Sequence, residues 1–421
     1  MSTVLILSLV FPPDSVSTAA IMADLAIDLQ EAGHSVTVLT TVPHYNPDTA
    51  AERRQPLQPF WGRLLRLSSY HGIAVYHAAM PAKSPSIVGR VLGWLGFHAV
   101  STLAGLVAIP KPDVILVPSP PLSIGLSAWI IGAFRGARFI YNVQEIYPDI
   151  AVKLGALKNP RAISVLEALE RFVYRRAAVV TVIAARMRQR LLEKGVPPEK
   201  VRVIPNFVDL ERLAPVPKDN EFCRRLQLLD LFAVTYAGNM GPAQGLDIVL
   251  AAARLMPSGE PAIRFVLIGE GTLRGRLTTE AAKLPGSIVS VLPYQPSSMM
   301  PQIYGASDVC LVPQAAATGS DAIPSKVYRI MASARPIIAV TDAESDLASL
   351  VREAQCGVIV APGDAAALAR VVQDAARAPE AWREMGIRGR GHVATHYSRA
   401  VVSPEYDGLI REVASGARYG D

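Results

Sequence analysis

Apolar runs with little polar interruption recur along this chain, and most are followed by a stretch with helical spacing. VLILSLV, residues 4–10, precedes segment 19–33, in which Ile21, Leu25, Ile27 and Leu29 fall near the helical period and Gly33 stands just past the end. SVTVLT (35–40), VILVPSP (114–120), RFIYNVQE (138–145), AVVTVIA (178–184) and VRVIPNF (201–207) predict further strands. Strands apolar on both faces and separated by helices imply a parallel sheet covered on both sides. Residues 206–220, NFVDLERLAPVPKDN, carry prolines and charges without periodicity and read as a linker. Beyond it a second series begins with FAVTYAGNM, IRFVLIGEG, IVSVLPYQ, VCLVPQ, PIIAV and GVIV. The expectation is an α/β protein of two doubly wound, Rossmann-like domains facing a central cleft, where ligands meet the carboxyl ends of the strands. The boundaries read as 1–212, 213–395 and a closing stretch 396–421 whose helix packs back on the first domain.

Length agrees, since 421 residues exceed one ordinary core and suit two of about 200. A hydrophobic fraction of 50% with 19% charged residues excludes a disordered chain. The net charge of +6 is mild and its cations are scattered, so nucleic acid is not an expected partner. Cys223, Cys310 and Cys356 are too few and too far apart for a disulfide framework or a CxxC metal site, which fits a reducing cytoplasm. The opening MSTVLILSLVFPPD lacks a basic flank and a cleavage site and reads as a first strand. One segment changes this picture. Between Arg90 and Lys111, inside 86–111, there is no formal charge. It fits a membrane span, a buried helix, or a helix resting its apolar face, with Trp94 and Phe97, on a membrane surface.

Four loops of the second half lie where strands end. In YAGNMGPAQGLD, Gly238, Gly241 and Gly245 turn the backbone sharply and would leave N–H groups free to meet phosphate; a plain structural turn is the alternative. In VLIGEGTLRGRL, Glu270 reads as a carboxylate at a helix start. In LPYQPSSMM, Tyr294 and Gln295 are suited to stack on or hydrogen-bond a flat base. In TGSDAIPSKVYRIMASARPII, residues 318–338, Pro324 or Ser325 opens a helix whose first two turns carry Lys326 and Arg329. The macrodipole opposes cations there, and a bound diphosphate at Ser325 and Lys326 would turn that cost into attraction; solvation or acidic partners are the alternative.

These pieces, with FPPD, GHSVTVLT, RVIPNFVDLERL and CGVIVAPGDAAALA, resemble the retaining glycosyltransferases of family 4 with the two-domain GT-B architecture, over nearly the whole chain. NVQEIYPDIAVKLGAL, LERFVYRRAAVV and GSDAIPSKVYRIMAS are most similar to the colanic-acid-type transferases, fucosyltransferases among them.

The resemblance implies a donor diphosphate held by an Arg and a Lys on the first loop, but Asn239 and Gln244 stand there. Two family glutamates that touch donor sugar and ribose are matched by Asp321 and Arg329, the second with reversed charge. Gln144 replaces a frequent His, and FPPDSVSTAA is an acceptor loop without glycine. Glu145, Asp321 and Lys326 are the catalytic candidates, and Asp14, Ser17, Thr18 and Asp149 would contact the acceptor. Asp14 capping the next helix and Asp149 capping or pairing with Lys153 remain alternatives.

The implied reaction needs no metal and no cofactor: a nucleotide-diphosphate sugar gives its sugar to a saccharide or polyprenyl-diphosphate-linked acceptor in exopolysaccharide, O-antigen or capsule assembly. The expected place is the cytoplasm, peripheral on the inner face of the plasma membrane through 86–111. A non-catalytic nucleotide-sugar-binding partner subunit and a two-domain epimerase are the rival readings.

Overall fold

Every strand predicted from the apolar runs forms, most of them shorter than the run itself. The computed structural model describes residues 1–44, 49–80, 87–257, 262–316, 318–319 and 323–416, and the side chains of 49–50 and 87–92 lie outside that description as well. The chain divides into two units, Met1–Asn206 with Val402–Asp421, and Phe207–Val401. Residues 207–212, expected with the first domain, thus group with the second, and the return falls at 401/402 instead of 395/396.

The first unit runs β1 (Thr3–Leu7), α1 (Ser17–Glu31), β2 (Ser35–Thr41), α2 (Thr49–Arg54), β3 (Gln58–Trp61), β4 (Leu65–Tyr70), β5 (Ile73–Ala78), α3 (Ile87–Val107), β6 (Val114–Pro118), α4 (Ile124–Arg135), β7 (Arg138–Val143), α5 (Asp149–Lys153), α6 (Pro160–Arg176), β8 (Val179–Val182), α7 (Ala185–Glu193) and β9 (Val201–Val203). Its sheet is ordered β3-β4-β5-β2-β1-β6-β7-β8-β9. All neighbours pair in parallel except β3 with β4 and β4 with β5. That antiparallel edge is absent from the sequence expectation. The parallel strands are mostly apolar because helices cover both faces, and α1 closes at Gly33, whose φ is +89°.

The second unit runs α8 (Glu221–Arg225), β10 (Phe232–Ala237), α9 (Asp247–Arg254), β11 (Ile263–Ile268), α10 (Arg274–Ala281), β12 (Val289–Leu292), α11 (Met300–Gly305), β13 (Val309–Pro313), α12 (Lys326–Ala332), β14 (Ile337–Val340), α13 (Asp346–Glu353), β15 (Gly357–Val360), α14 (Ala365–Arg377) and α15 (Pro379–His396). The sheet β12-β11-β10-β13-β14-β15 is wholly parallel. Val234, Phe265, Leu267 and Leu311 of its strands bury themselves against Val249, Leu277, Leu368 and Trp382, each full burial contributing roughly 1.5–3 kcal/mol. The strand order reverses between β10 and β13, so the loops leaving those two strands part and open a crevice at their carboxyl ends. A last helix, α16 (Arg399–Ser415), returns most of its length to the first unit, where the Tyr406 hydroxyl accepts from Asn142 of β7 and Asp407 meets His34 at 2.7 Å.

The described part of 86–111 is α3. Among the described residues no helix is long and apolar enough to cross a membrane. Phe97, read from the sequence as lipid-facing, is 0% exposed; Ser101 and Ala104 are buried beside it. A Cβ at Gly105 would come within 2.3 Å of Ile131, so the glycine lets α3 and α4 close up. The opposite face of α3 is open, with Leu95, Leu103 and Val107 among the most exposed apolar side chains of the protein. One helix thus serves both as core and as apolar surface.

Candidate functional site

The loops leaving β10, β11 and β13 meet at the crevice between β10 and β13, and their geometry differs from the expectation. The glycine turn after β10 does not offer a row of free N–H groups. Gly238 N donates to Ile268 O at 2.9 Å and Met240 N to Glu270 O at 2.7 Å, while Leu273 N donates back to Met240 O at 2.9 Å. Gly241 N is taken by the Gln244 side chain at 3.0 Å, and Gly245 N by Pro242 O at 3.2 Å. The turn is laced to the loop after β11, an approach that demands glycine. A Cβ at Gly269 would stand 1.8 Å from Gly238 O, and φ there is +147°. Gln244 is therefore a loop staple in this state, and Gly245 sits 3.5 Å (from a Cβ position) against the backbone of Ala315, tying the two sides of the crevice.

The free cation comes from the other side. Ser325 is the N-cap of α12 without a side-chain cap bond, Pro324 lies before it, and Lys326 is the first helical residue, in place of the Pro324 or Ser325 expected there. The Lys326 ammonium lies 3.8 Å from the ring centroid of Tyr236 and 2.6 Å from where a Cβ of Gly238 would be. Tyr236 is in turn fixed by donating its hydroxyl to Asn239 O. Among the described residues no carboxylate pairs with Lys326 or Arg329. The ammonium keeps some solvent contact but is crowded by protein, and this desolvation, with Arg329 next in effect, pushes it down to about 7. Because α12 has only seven residues, Arg329 belongs to its last turn, where the helix dipole favours a cation.

The remaining donor candidates spread along the sheet edge. Glu270 is exposed, precedes α10 by several residues instead of starting it, and pairs with Arg274 at 3.3 Å. Tyr294 and Gln295 follow β12, two strands from β10. The Gln295 amide is held by Pro293 O at 3.1 Å and by Arg225 at 3.3 Å. Asp321 lies outside the described residues. Tyr236, which supports the ammonium, was not singled out in the sequence because it lies in an ordinary apolar strand.

In the first unit, Asp14 is buried and holds the chain after β2. It accepts the backbone N–H of His44 at 3.1 Å and lies 3.6 Å from His44 Nδ1. It does not cap α1, whose N-cap is Val16, and Ser17 and Thr18 are the first, half-exposed residues of that helix. Asp149 starts α5 and is drawn onto α7 by Arg190 at 3.0 Å and onto Lys194 at 2.7 Å. Gln144 is buried in a reciprocal amide pair: it accepts from Asn206 at 2.7 Å and donates to Asn142 at 2.6 Å and Asn206 at 3.2 Å. The amide donates twice and accepts once there, one bond more than a neutral imidazole with its single donor and single acceptor could make. Glu145, at the carboxyl end of β7, keeps water on one side while surrounding protein desolvates it and raises its carboxyl above the usual range. Neither His44 nor Asn206 carries a local sequence signal; topology alone brings them to these partners.

Residues 18–206 match the family model of the glycosyl transferase 4-like domain, and residues 232–377 that of the glycosyl transferases group 1. WcaI of Escherichia coli (strain K12), named as a colanic acid biosynthesis glycosyl transferase, is 27% identical over 82% of this chain and 85% of its own. The glycosyltransferase WbjE of Pseudomonas aeruginosa is 26% identical over 63% of this chain and 66% of its own. Among solved structures, Anabaena Alr3699/HepE in complex with UDP and glucose superposes with a TM-score of 0.73 at 14% identity, covering 98% of this chain and 100% of that one. Sucrose-phosphate synthase from Thermosynechococcus elongatus does so with a TM-score of 0.75 at 17% identity, covering 99% and 100%. At such identities the structures attest the fold.

Proposed function

Because the chain belongs to the family 4 glycosyltransferases of GT-B architecture, we propose that it moves a sugar from a nucleotide-diphosphate donor to a lipid-linked saccharide acceptor, with retention of anomeric configuration and without a metal, in the assembly of a surface polysaccharide. The observation that carries the donor assignment is Lys326: a cation without a carboxylate partner among the described residues, crowded beside Gly238 where the strand order reverses. Burying an unpaired ammonium is costly unless an anion joins it. A diphosphate supplies that anion.

In the reaction the bond between the anomeric carbon and the β-phosphate oxygen breaks, its electron pair going to the phosphate. The acceptor hydroxyl oxygen bonds to the same face of that carbon, and its proton passes to the departing phosphate. Negative charge grows on the phosphate as the bond lengthens, so Lys326 stabilises the transition state more than the ground state. Glu145 orients the acceptor hydroxyl, Asp321 contributes a carboxylate to the donor sugar, and Arg329 takes the place of a ribose-binding glutamate. Peripheral contact with the membrane through α3 brings the protein to its acceptor.

The test is transfer of label from UDP-, GDP- and dTDP-sugars to a membrane lipid extract, with and without EDTA, followed by NMR of the new linkage. The proposal expects transfer from one donor class, the donor's own anomeric configuration in the product, and no loss with EDTA. Binding of a sugar nucleotide without transfer to any acceptor would favour the partner-subunit reading, prompted by Asn239, Gln244 and Arg329.

A further inference from the structure

The open face of α3 and the outer face of α4 enclose a groove of about 480 Å³. Leu95, Ala99, Leu103 and Leu106 form one wall and Leu126 and Ile130 the other, and among the described residues no Asp, Glu, Lys or Arg lines it. The one titratable group, His98, lies at its floor with both ring nitrogens engaged, by Ser123 at 2.7 Å and by Ser127 at 3.2 Å. Burial pushes this imidazole down to about 4, so it is neutral at physiological pH and the described lining carries no charge. The charges gather at one end. Arg135 donates to the carbonyl oxygens of Leu106 and Ile109, joining the two helices where they finish, and Lys111 reaches toward Gly136 just past α4. Beside these cations Val107 is 64% and Phe134 79% exposed.

We infer that this groove takes the prenyl chain of a phosphate-bearing lipid acceptor, with the phosphate toward Arg135 and Lys111. The inference rests on the lipid-linked acceptor of the proposed function and gives that lipid a seat. Charge complementarity decides the occupant: an uncharged apolar channel that ends on two cations matches an amphiphile with a hydrocarbon tail and an anionic head. Size agrees. One turn of α-helix with its side chains, about 10–12 Å wide and 5.4 Å long, fills roughly 400–600 Å³, so a helical partner would seat a single turn, whereas the volume lies in the range that buries small ligands.

The probe is farnesyl phosphate kept below its aggregation concentration, titrated calorimetrically into the whole protein without any donor. Saturable one-to-one binding is expected. Ala99→Trp fills the groove from its exposed rim and should weaken binding about tenfold or more, the loss of two buried methylenes, with an unchanged melting temperature. Lys111→Gln should weaken farnesyl phosphate about two- to fivefold, as for a surface ion pair, and leave farnesol unaffected. Equal affinity in Ala99→Trp overturns the inference. So does binding to phospholipid vesicles with none to farnesyl phosphate, or a dimer in light scattering that Ala99→Trp dissolves. Because no donor is present, failure of sugar transfer leaves this result standing, and the converse holds.

Discussion

Nucleoside diphosphate binding should depend on pH in a way that reports directly on Lys326. Its ammonium is depressed to about 7 by desolvation and by Arg329. A diphosphate set against it restores the charged form and lifts the group toward its ordinary value near 10.4. Linkage then fixes the sign: above pH 7 the free protein has lost this proton and the complex retains it, so binding takes up a proton and weakens as pH rises. Working the two titrations through, affinity should fall about 50-fold between pH 7 and pH 9, and uptake should approach ~0.9 proton at pH 8. Partial solvent contact of the ammonium makes these figures upper bounds. The assay is calorimetry of UDP, GDP and ADP in buffers of different ionisation enthalpy, with the terminal phosphate already ionised above pH 7. Lys326→Met should remove the slope and weaken binding at pH 7. The same change should raise stability at pH 7, because a lysine with a lowered folded value opposes folding below its unfolded value and the cost is fully present below about 7. A flat profile between pH 7 and pH 9, or an equal slope in the methionine variant, refutes the placement of the diphosphate.

Other outcomes follow from the packing. Gly269→Ala places a Cβ 1.8 Å from Gly238 O at φ +147°; it should cost roughly 3 kcal/mol or more in urea unfolding and weaken diphosphate binding by parting the two loops. Lys194→Met leaves Glu170, whose side chain is 3% exposed, without its 2.6 Å partner, and the loss of about 3–5 kcal/mol should be larger at pH 8 than at pH 5, since the deserted carboxyl can take up a proton at low pH. Glu145→Gln should lower turnover about 100-fold or more with the donor Kd unchanged; an unchanged turnover removes Glu145 from the reaction.

The sheet strands were legible because parallel strands buried on both faces are mostly apolar, as VILVP of β6 and, apart from Thr235, FAVTYA of β10 are. The β3–β5 edge was missed because β3 is exposed along its whole length and β5 buries His77, whose ring bonds to Thr41 O at 2.9 Å and Ser68 at 2.8 Å. Its one local signal is the His71-Gly72 turn, both residues at positive φ, which a search for Asn-Gly passes over. At the site the same division holds. Lys326 stood out because a cation at a helix start is locally unfavourable. The lacing of Gly238 and Met240 to residues 268–273 is a contact between loops on different strands, and no spacing within either loop announces it.

The charges at α12 also explain why the first loop can do without its own. Gln244 accepts the Gly241 N–H at 3.0 Å, a task open to a glutamine oxygen and closed to a lysine, which has no acceptor. With that loop given to structure, the positive charge of the crevice resides in Lys326 and Arg329, three residues apart on one helix. Arg329 disfavours the charged form of Lys326, and that repulsion is relieved by an anion. Arg329→Glu should therefore act beyond its own contacts. A carboxylate three residues from Lys326 would pair with it, raise its proton affinity and compete with the diphosphate, so donor binding should weaken while its pH dependence between 7 and 9 flattens. If Arg329 served only as a peripheral contact to the ribose, affinity would fall but the slope set by Lys326 would survive, and the two cations would not form one site.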